Sequence, residues 1–255
     1  MLRFLVIRDF VSKYKQTLLG PAWFVIQPLF MTLVFTIIFG NVAQLSTDGL
    51  PAPLFYLCGQ LSWMYFSQCF SSTAGNLVGN AGLFRKVYFP RIIIPLANVI
   101  SNLLAFAIQL VTFLCFWAYF KFFTPASDEF NMRPEVIFFP LLVLQTAFIA
   151  LGGGFWLSAL SAKYRDLQHV SGFMVQAWMY ITPIIYPASE IPERFRWIAF
   201  LNPLTPSAES YRFVFLGIGT IETTYFLVSI GVALMLLITG LIVYNRVQRN
   251  FVDYS

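Results

Sequence analysis

Few side chains in this 255-residue chain are of a type and spacing that could do covalent chemistry. The one histidine, His169, falls at the edge of an apolar run and reads as an interfacial residue rather than a general base. Cys58, Cys69 and Cys115 lie inside apolar runs at no metal-like spacing, which predicts buried free thiols rather than a disulfide or a ligand set. Gly152, Gly153 and Gly154 sit in apolar surroundings with no Lys-Ser or Lys-Thr after them, so they predict close helix packing and not a phosphate loop. What remains is the chemistry of binding. Tyr56, Trp63, Phe66 and Phe70 recur on one helical face with Gln60 and Ser67 beside them. Gly79 to Pro95, GNAGLFRKVYFPRIIIP, is a basic island between two apolar runs.

These groups have to be held by elements that cross a membrane. The chain is 58% apolar, 18% aromatic and 11% charged, and its apolar residues come in long runs, which predicts a polytopic all-α integral membrane protein. Hydropathy predicts six spans, at 23–43, 54–74, 92–120, 136–162, 170–186 and 225–243. Over 1–20, Arg3, Arg8, Asp9, Lys13 and Lys15 alternate with Leu2, Leu5, Val6, Phe10 and Tyr14 near helical spacing. That is the pattern of an amphipathic interface helix ended by Gly20 and Pro21, not of a cleavable signal. In the region 187–222, Ile191 to Leu201 and Ser207 to Leu216 are too short to span and predict two re-entrant outer helices before the last span. With no internal repeat, 1–255 reads as a single transmembrane domain.

Charge sets the orientation. Six spans place both termini with Arg3, Arg8, Lys13, Lys15, Arg85, Lys86, Arg91, Lys163, Arg165, Arg246 and Arg249 on one side, leaving Lys121, Arg133, Arg194, Arg196 and Arg212 on the other. Eleven basic residues against five predict cytoplasmic termini, with Asp48, Asp128, Glu129, Glu135, Glu190, Glu193, Glu209 and Glu222 outside. The net charge of +5 thus belongs to membrane faces rather than to nucleic-acid binding.

Arg85, Lys86 and Arg91 cannot sit cheaply in hydrocarbon, so the island lies at a membrane face. Leu83, Phe84, Val87 and Tyr88 follow helical spacing between Gly82 and Pro90, giving a short interfacial helix with an apolar and a basic side. It is either a loop that only fixes orientation or a docking element for another protein. None of the six spans contains Asp, Glu, Lys, Arg or His, which argues against an ion-driven carrier. No Walker motif is present, so energy from ATP would have to come from a separate subunit.

Arg8-Asp9-Phe10, the run Tyr14-Lys15-Gln16-Thr17-Leu18-Leu19-Gly20 with Trp23 and Pro28, and the island's Lys86-Val87-Tyr88-Phe89-Pro90-Arg91 form one part of a longer pattern. Tyr164-Arg165-Asp166-Leu167, Thr182-Pro183, Ile191-Pro192-Glu193 and Asn202-Pro203 complete it. Together they resemble the permease subunit of ABC-2 type polysaccharide exporters, the family that exports O-antigen, capsule and teichoic acid chains. The likeness covers nearly the whole chain. It implies a homodimer in the cytoplasmic membrane of a bacterium, driven by a cytoplasmic ATPase pair that binds the ATP and magnesium, with no catalytic residue, metal or cofactor of its own. It implies ATPase contacts at Arg8 and Asp9 and at a coupling helix over 79–91 with Leu83, Phe84, Arg85, Lys86, Tyr88 and Arg91. Tyr164, Arg165 and Asp166 would add to them, and the re-entrant helices would form an outer gate. An exporter of a drug or small amphiphile is the alternative within this architecture.

A lipid-linked glycan moving through such a permease needs hydroxyl-bonding side chains and aromatic faces for its C–H surfaces, without fixed charges that would hold it. The second span supplies Tyr56, Gln60, Trp63, Phe66, Ser67 and Phe70, the first Trp23, Gln27 and Phe30, and the fifth Trp178, Thr182 and Tyr186. These residues are the expected substrate pathway. Gln27, Gln60, Ser67 and Gln68 favour a polar cargo over a drug.

Overall fold

A computed structural model describes residues 2–14, 18–80, 82, 90–164, 166–219 and 221–250, and these form helices and turns without a strand. Hydrocarbon offers no partner to a backbone N–H or C=O, and a helix satisfies both within its own segment. The order is α1 (Leu2–Tyr14), α2 (Trp23–Phe35), α3 (Ala52–Ala74), α4 (Asn76–Gly79), α5 (Ile93–Phe123), α6 (Phe139–Lys163), α7 (Leu167–Ile181), α8 (Glu193–Leu201), α9 (Leu204–Leu216) and α10 (Thr223–Asn250). Among the described residues four stretches are long and apolar enough to cross a membrane: Gly20–Val42, Ile93–Phe123, Pro134–Lys163 and Thr223–Gln248.

The bundle is arranged around α3. Every residue from Leu54 to Phe66 is buried, with α2, α5, α6, α7 and α9 packed against the helix. That enclosure explains why α3 carries Gln60, Ser62, Ser67, Gln68 and Thr73, since its neighbours here are protein. Gln60 Nε2 donates to Thr32 Oγ1 of α2 at 2.9 Å, and Thr73 Oγ1 donates to the Cys69 carbonyl at 2.7 Å.

α6 and α10 cross with their backbones in contact. A Cβ on Gly152 would stand 2.5 Å from the Leu236 carbonyl carbon, and one on Gly240 would overlap the Gly152 carbonyl oxygen. Gly154 likewise faces Thr73 and the Phe70 carbonyl of α3. The glycine triplet is therefore a packing surface, as its apolar setting predicts.

Two helices depart from simple spans. α2 holds Pro28, which removes one intrahelical donor, and continues as a π-helical stretch over Thr36–Val42. α7 has 15 residues, a length of about 22 Å against roughly 30 Å of hydrocarbon. It stops at Thr182, which is extended because Pro183 follows it.

One expectation changes. Cys58 and Cys69 are buried, but Cys115 is exposed on α5. On α1, which packs along α5, Leu5 is buried and Val6 half-buried while Leu2 is exposed, and Phe4, Ile7 and Val11 are exposed as well. The side chains of Phe10 and Tyr14 lie outside the description.

Candidate functional site

Between α2, α3 and α7 lies a groove of about 740 Å³. α2 contributes Trp23, Ile26, Gln27 and Phe30, and α3 contributes Gln60, Trp63, Met64 and Ser67. Both sets follow i, i+3, i+4, i+7 spacing, so each helix offers one continuous stripe. Met31, Phe35, Gln68 and Met179 complete the lining, and among the described residues that form it none is charged. The wall toward α2 is open, with Trp23 46% and Phe30 63% exposed, whereas Trp63 is only 7% exposed. Gln27, Gln60, Ser67 and Gln68 can bond hydroxyls, and the indoles and Phe30 offer apolar faces.

Six of the residues expected to form a pathway thus meet in one place: Trp23, Gln27, Phe30, Gln60, Trp63 and Ser67. The other six stand elsewhere. Phe66 and Phe70 are interior, their rings 5.0 and 6.0 Å from that of Trp178. Tyr56 is fully buried against Phe35 and Phe55. Trp178 and Thr182 fasten α7 to the turn before α9: Trp178 Nε1 donates to Asn202 Oδ1 at 3.0 Å, and Asn202 Nδ2 donates to Thr182 Oγ1 at 2.8 Å. Tyr186 Oη donates to the Tyr180 carbonyl at 3.2 Å. Of the aromatic face on α3, therefore, only Trp63 reaches the groove. Because α3 is enclosed on nearly all sides, a 60° step around it passes from groove to core.

Sequence spacing did not single out the buried ionic group on α9. Arg212 of α9 is 1% exposed, donates through Nη1 to Glu209 Oε1 at 2.8 Å and through Nη2 to the Ile184 carbonyl at 2.8 Å, and lies 4.0 Å over the Phe55 ring. A side chain on Gly59 would meet both Arg212 and Ile184, so α3 leaves the space the guanidinium fills. The only sequence signal was the i, i+3 spacing of Glu209 and Arg212 on a helix otherwise apolar in its last turn. The end of α9 is closed by Gly217 at φ +73, where a Cβ would meet the Asn131 carbonyl, and by Arg133 Nη2 donating to the Gly217 carbonyl at 2.9 Å.

Of the residues expected to contact an ATPase, Leu83, Phe84, Arg85, Lys86, Tyr88 and Arg165 lie outside the described residues. Arg8 and Asp166 are exposed, Asp9 is half-buried, and Tyr164 is exposed with Lys163 Nζ 5.2 Å over its ring. Arg91 Nη1 donates to the Gln248 carbonyl.

Known proteins give this geometry a family. The chain is 26% identical over 249 residues to the O-antigen export system permease protein RfbA of Klebsiella pneumoniae, covering 96% of this chain and 91% of that one. The Myxococcus xanthus O-antigen export system permease protein RfbA is 28% identical over 216 residues, 83% of this chain and 78% of its own. The polysialic acid transport protein KpsM of Escherichia coli is 22% identical over 213 residues, 82% and 78% of the two chains. The family described as ABC-2 type transporter matches residues 2–216, most of the chain, so this all-helical protein with a charge-free groove belongs to the ABC-2 type transporter family.

Proposed function

We propose that the chain is the permease subunit of an ATP-driven exporter that passes a lipid-linked polysaccharide outward across a bacterial cytoplasmic membrane. The observation that carries this reading is the groove, which joins aromatic faces to amide and hydroxyl groups without a fixed charge. Its open wall at Trp23 and Phe30 suits a homodimer, in which a second copy would enclose the passage. α2, α3, α5, α6, α7 and α10 are the six spans of this reading, with α8 and α9 as an outer gate and both termini in the cytoplasm. A separate ATPase dimer binds ATP and magnesium and meets Arg8, Asp9, the island over 79–91 and Tyr164 to Asp166. What supports one shared end for these parts is that α4 and Arg91, just before α5, are each hydrogen-bonded to α10 near the end of its described length.

The deciding experiment is co-purification with an ATPase whose hydrolysis rate responds to an undecaprenyl-linked sugar chain. A rate indifferent to that chain and raised by a small amphiphile would move the reading to drug export.

Topology is checked in a cysteine-free background. Ser46→Cys and Ser127→Cys should react with an impermeant thiol reagent from outside, and Asn80→Cys and Gln168→Cys only from inside. Reaction at position 80 from outside would sink the orientation and the ATPase contact together.

Two phenylalanines test the groove. Phe30→Ala removes an exposed ring in the groove and should slow export of surface glycan about fivefold, the loss of roughly 1 kcal/mol of stacking, at unchanged melting temperature. Phe66→Ala empties a fully buried site between Trp63, Phe70 and Trp178 and should cost about 3–5 kcal/mol of stability. Full export by Phe30→Ala would exclude it from the pathway.

A further inference from the structure

Both flanks of the basic island are fastened to the same short piece of α10. On the near flank Asn76 is fully buried, and its Nδ2 donates to the Tyr244 hydroxyl at 2.6 Å while its Oδ1 accepts from Asn80 Nδ2 at 3.0 Å. Leu77 N donates to Ser158 Oγ of α6 at 3.3 Å. Tyr244 has no exposed surface and its ring lies 4.8 Å from that of Phe155. On the far flank Arg91 Nη1 donates to the carbonyl of Gln248. That carbonyl lies one turn beyond Tyr244 on α10, and a guanidinium donates to a carbonyl oxygen as a charge-assisted bond. Tyr244 and Gln248 are one helical turn apart, so the two ends of the island meet α10 side by side.

α10 in turn cannot slide alone. At Gly240, one turn before Tyr244, its backbone rests on the Gly152 backbone of α6, and Gly154 seats α6 on Thr73 of α3. Buried hydrogen bonds and backbone-to-backbone packing form a stiff path from the island to the helix that carries Gln60, Trp63 and Ser67. We propose that the last two turns of α10 clamp the island and carry its displacement to α6 and α3, with Tyr244 as the positioning residue that joins them. This rests on the reading that the island meets the ATPase.

The test uses the permease with its own ATPase. Tyr244→Phe deletes one hydroxyl and keeps the ring on Phe155. The complex should form, melt close to the parent and hydrolyse ATP at the parental rate, while surface polysaccharide, read by lectin or antibody, falls about three- to tenfold. Asn76→Leu removes the same bond together with the one from Asn80 and should show at least this loss, and the double variant no more than Asn76→Leu alone, because the bond to Tyr244 is then already gone. Parental export by a stable Tyr244→Phe overturns the clamp, as does an export loss that follows the loss of folded protein. Phe84→Ala separates the two ideas. If it weakens ATPase binding or coupling while Tyr244→Phe exports normally, the island reading stands and the clamp alone falls; if Phe84→Ala binds and couples normally, the island reading falls and takes the clamp with it.

Discussion

Gly152→Leu should abolish accumulation of the folded protein, while Gly231→Leu, one helix away on α10, should melt like the parent. A Cβ at position 152 would lie 2.5 Å from the Leu236 carbonyl carbon and 2.6 Å from Leu237 N, and both are backbone atoms. No rotamer change relieves such an overlap. α6 and α10 would have to part along their whole crossing, losing contact also at Gly240 and at the hydrogen bond from Trp156 Nε1 to Thr239 Oγ1. Helices in lipid associate through close packing rather than through expulsion of water, so a widened crossing loses the interaction that holds it. Even the single methyl of Gly152→Ala should cost about 1–3 kcal/mol as overpacking. Gly231 has open space around its Cβ position and isolates the packing effect from any change in helix propensity. Detergent melting temperature and membrane yield of the three variants are the readouts. A Gly152→Leu protein that folds and melts normally would mean the two backbones are not in contact.

The glycine triplet was legible because its message is local: three residues without side chains in an apolar helix have few uses, and no phosphate-loop lysine follows them. The stripe Trp23, Gln27, Phe30 on α2 and the set Gln60, Trp63, Ser67 on α3 were legible from helical period alone. The same period could not separate Trp63 from Phe66. A face of a helix is read against one lipid side and one protein side, and α3 has protein on nearly every side. Trp178 and Thr182 carried a polar signal that belongs to the Asn202 network and not to the groove, since a side chain that bonds hydroxyls also serves to fasten a helix end. Fifth-span length was overread at its far end, where Thr182-Pro183 stops the helix despite an apolar continuation. Arg212 and Glu209 fall among the outer charges in a count by loop, and such a count carries no information on burial. Neither residue is in water.

Arg212→Ala should cost about 3–5 kcal/mol, because it leaves the Glu209 carboxylate in the interior without its counter-charge. The guanidinium joins three parts of the chain at once: α9 through Glu209, the turn after α7 through the Ile184 carbonyl, and α3 through the Phe55 ring and the space beside Gly59. The Ala188 N–H also donates to Glu209 Oε1, at 3.4 Å, so the carboxylate holds the chain before α8 as well. Lysine cannot replace this arrangement, since one ammonium lacks the planar fork that reaches a carboxylate and a carbonyl in two directions. Arg212→Lys should therefore recover only part of the loss. The informative variant is the pair Arg212→Met with Glu209→Gln, which removes both charges and keeps both volumes. If the cost of Arg212→Met alone lies in the stranded carboxylate, adding Glu209→Gln should restore most of the melting temperature, as replacing a whole buried pair is often close to neutral. If the cost lies in the Ile184 and Phe55 contacts, the second substitution restores nothing. An Arg212→Met single variant as stable as the parent would show that the pair is not buried at all. The paired variant, once folded, holds α9 against α3 by packing alone, so its export of surface glycan relative to the parent reports whether the ionic joint serves the outer helices in transport or only their assembly.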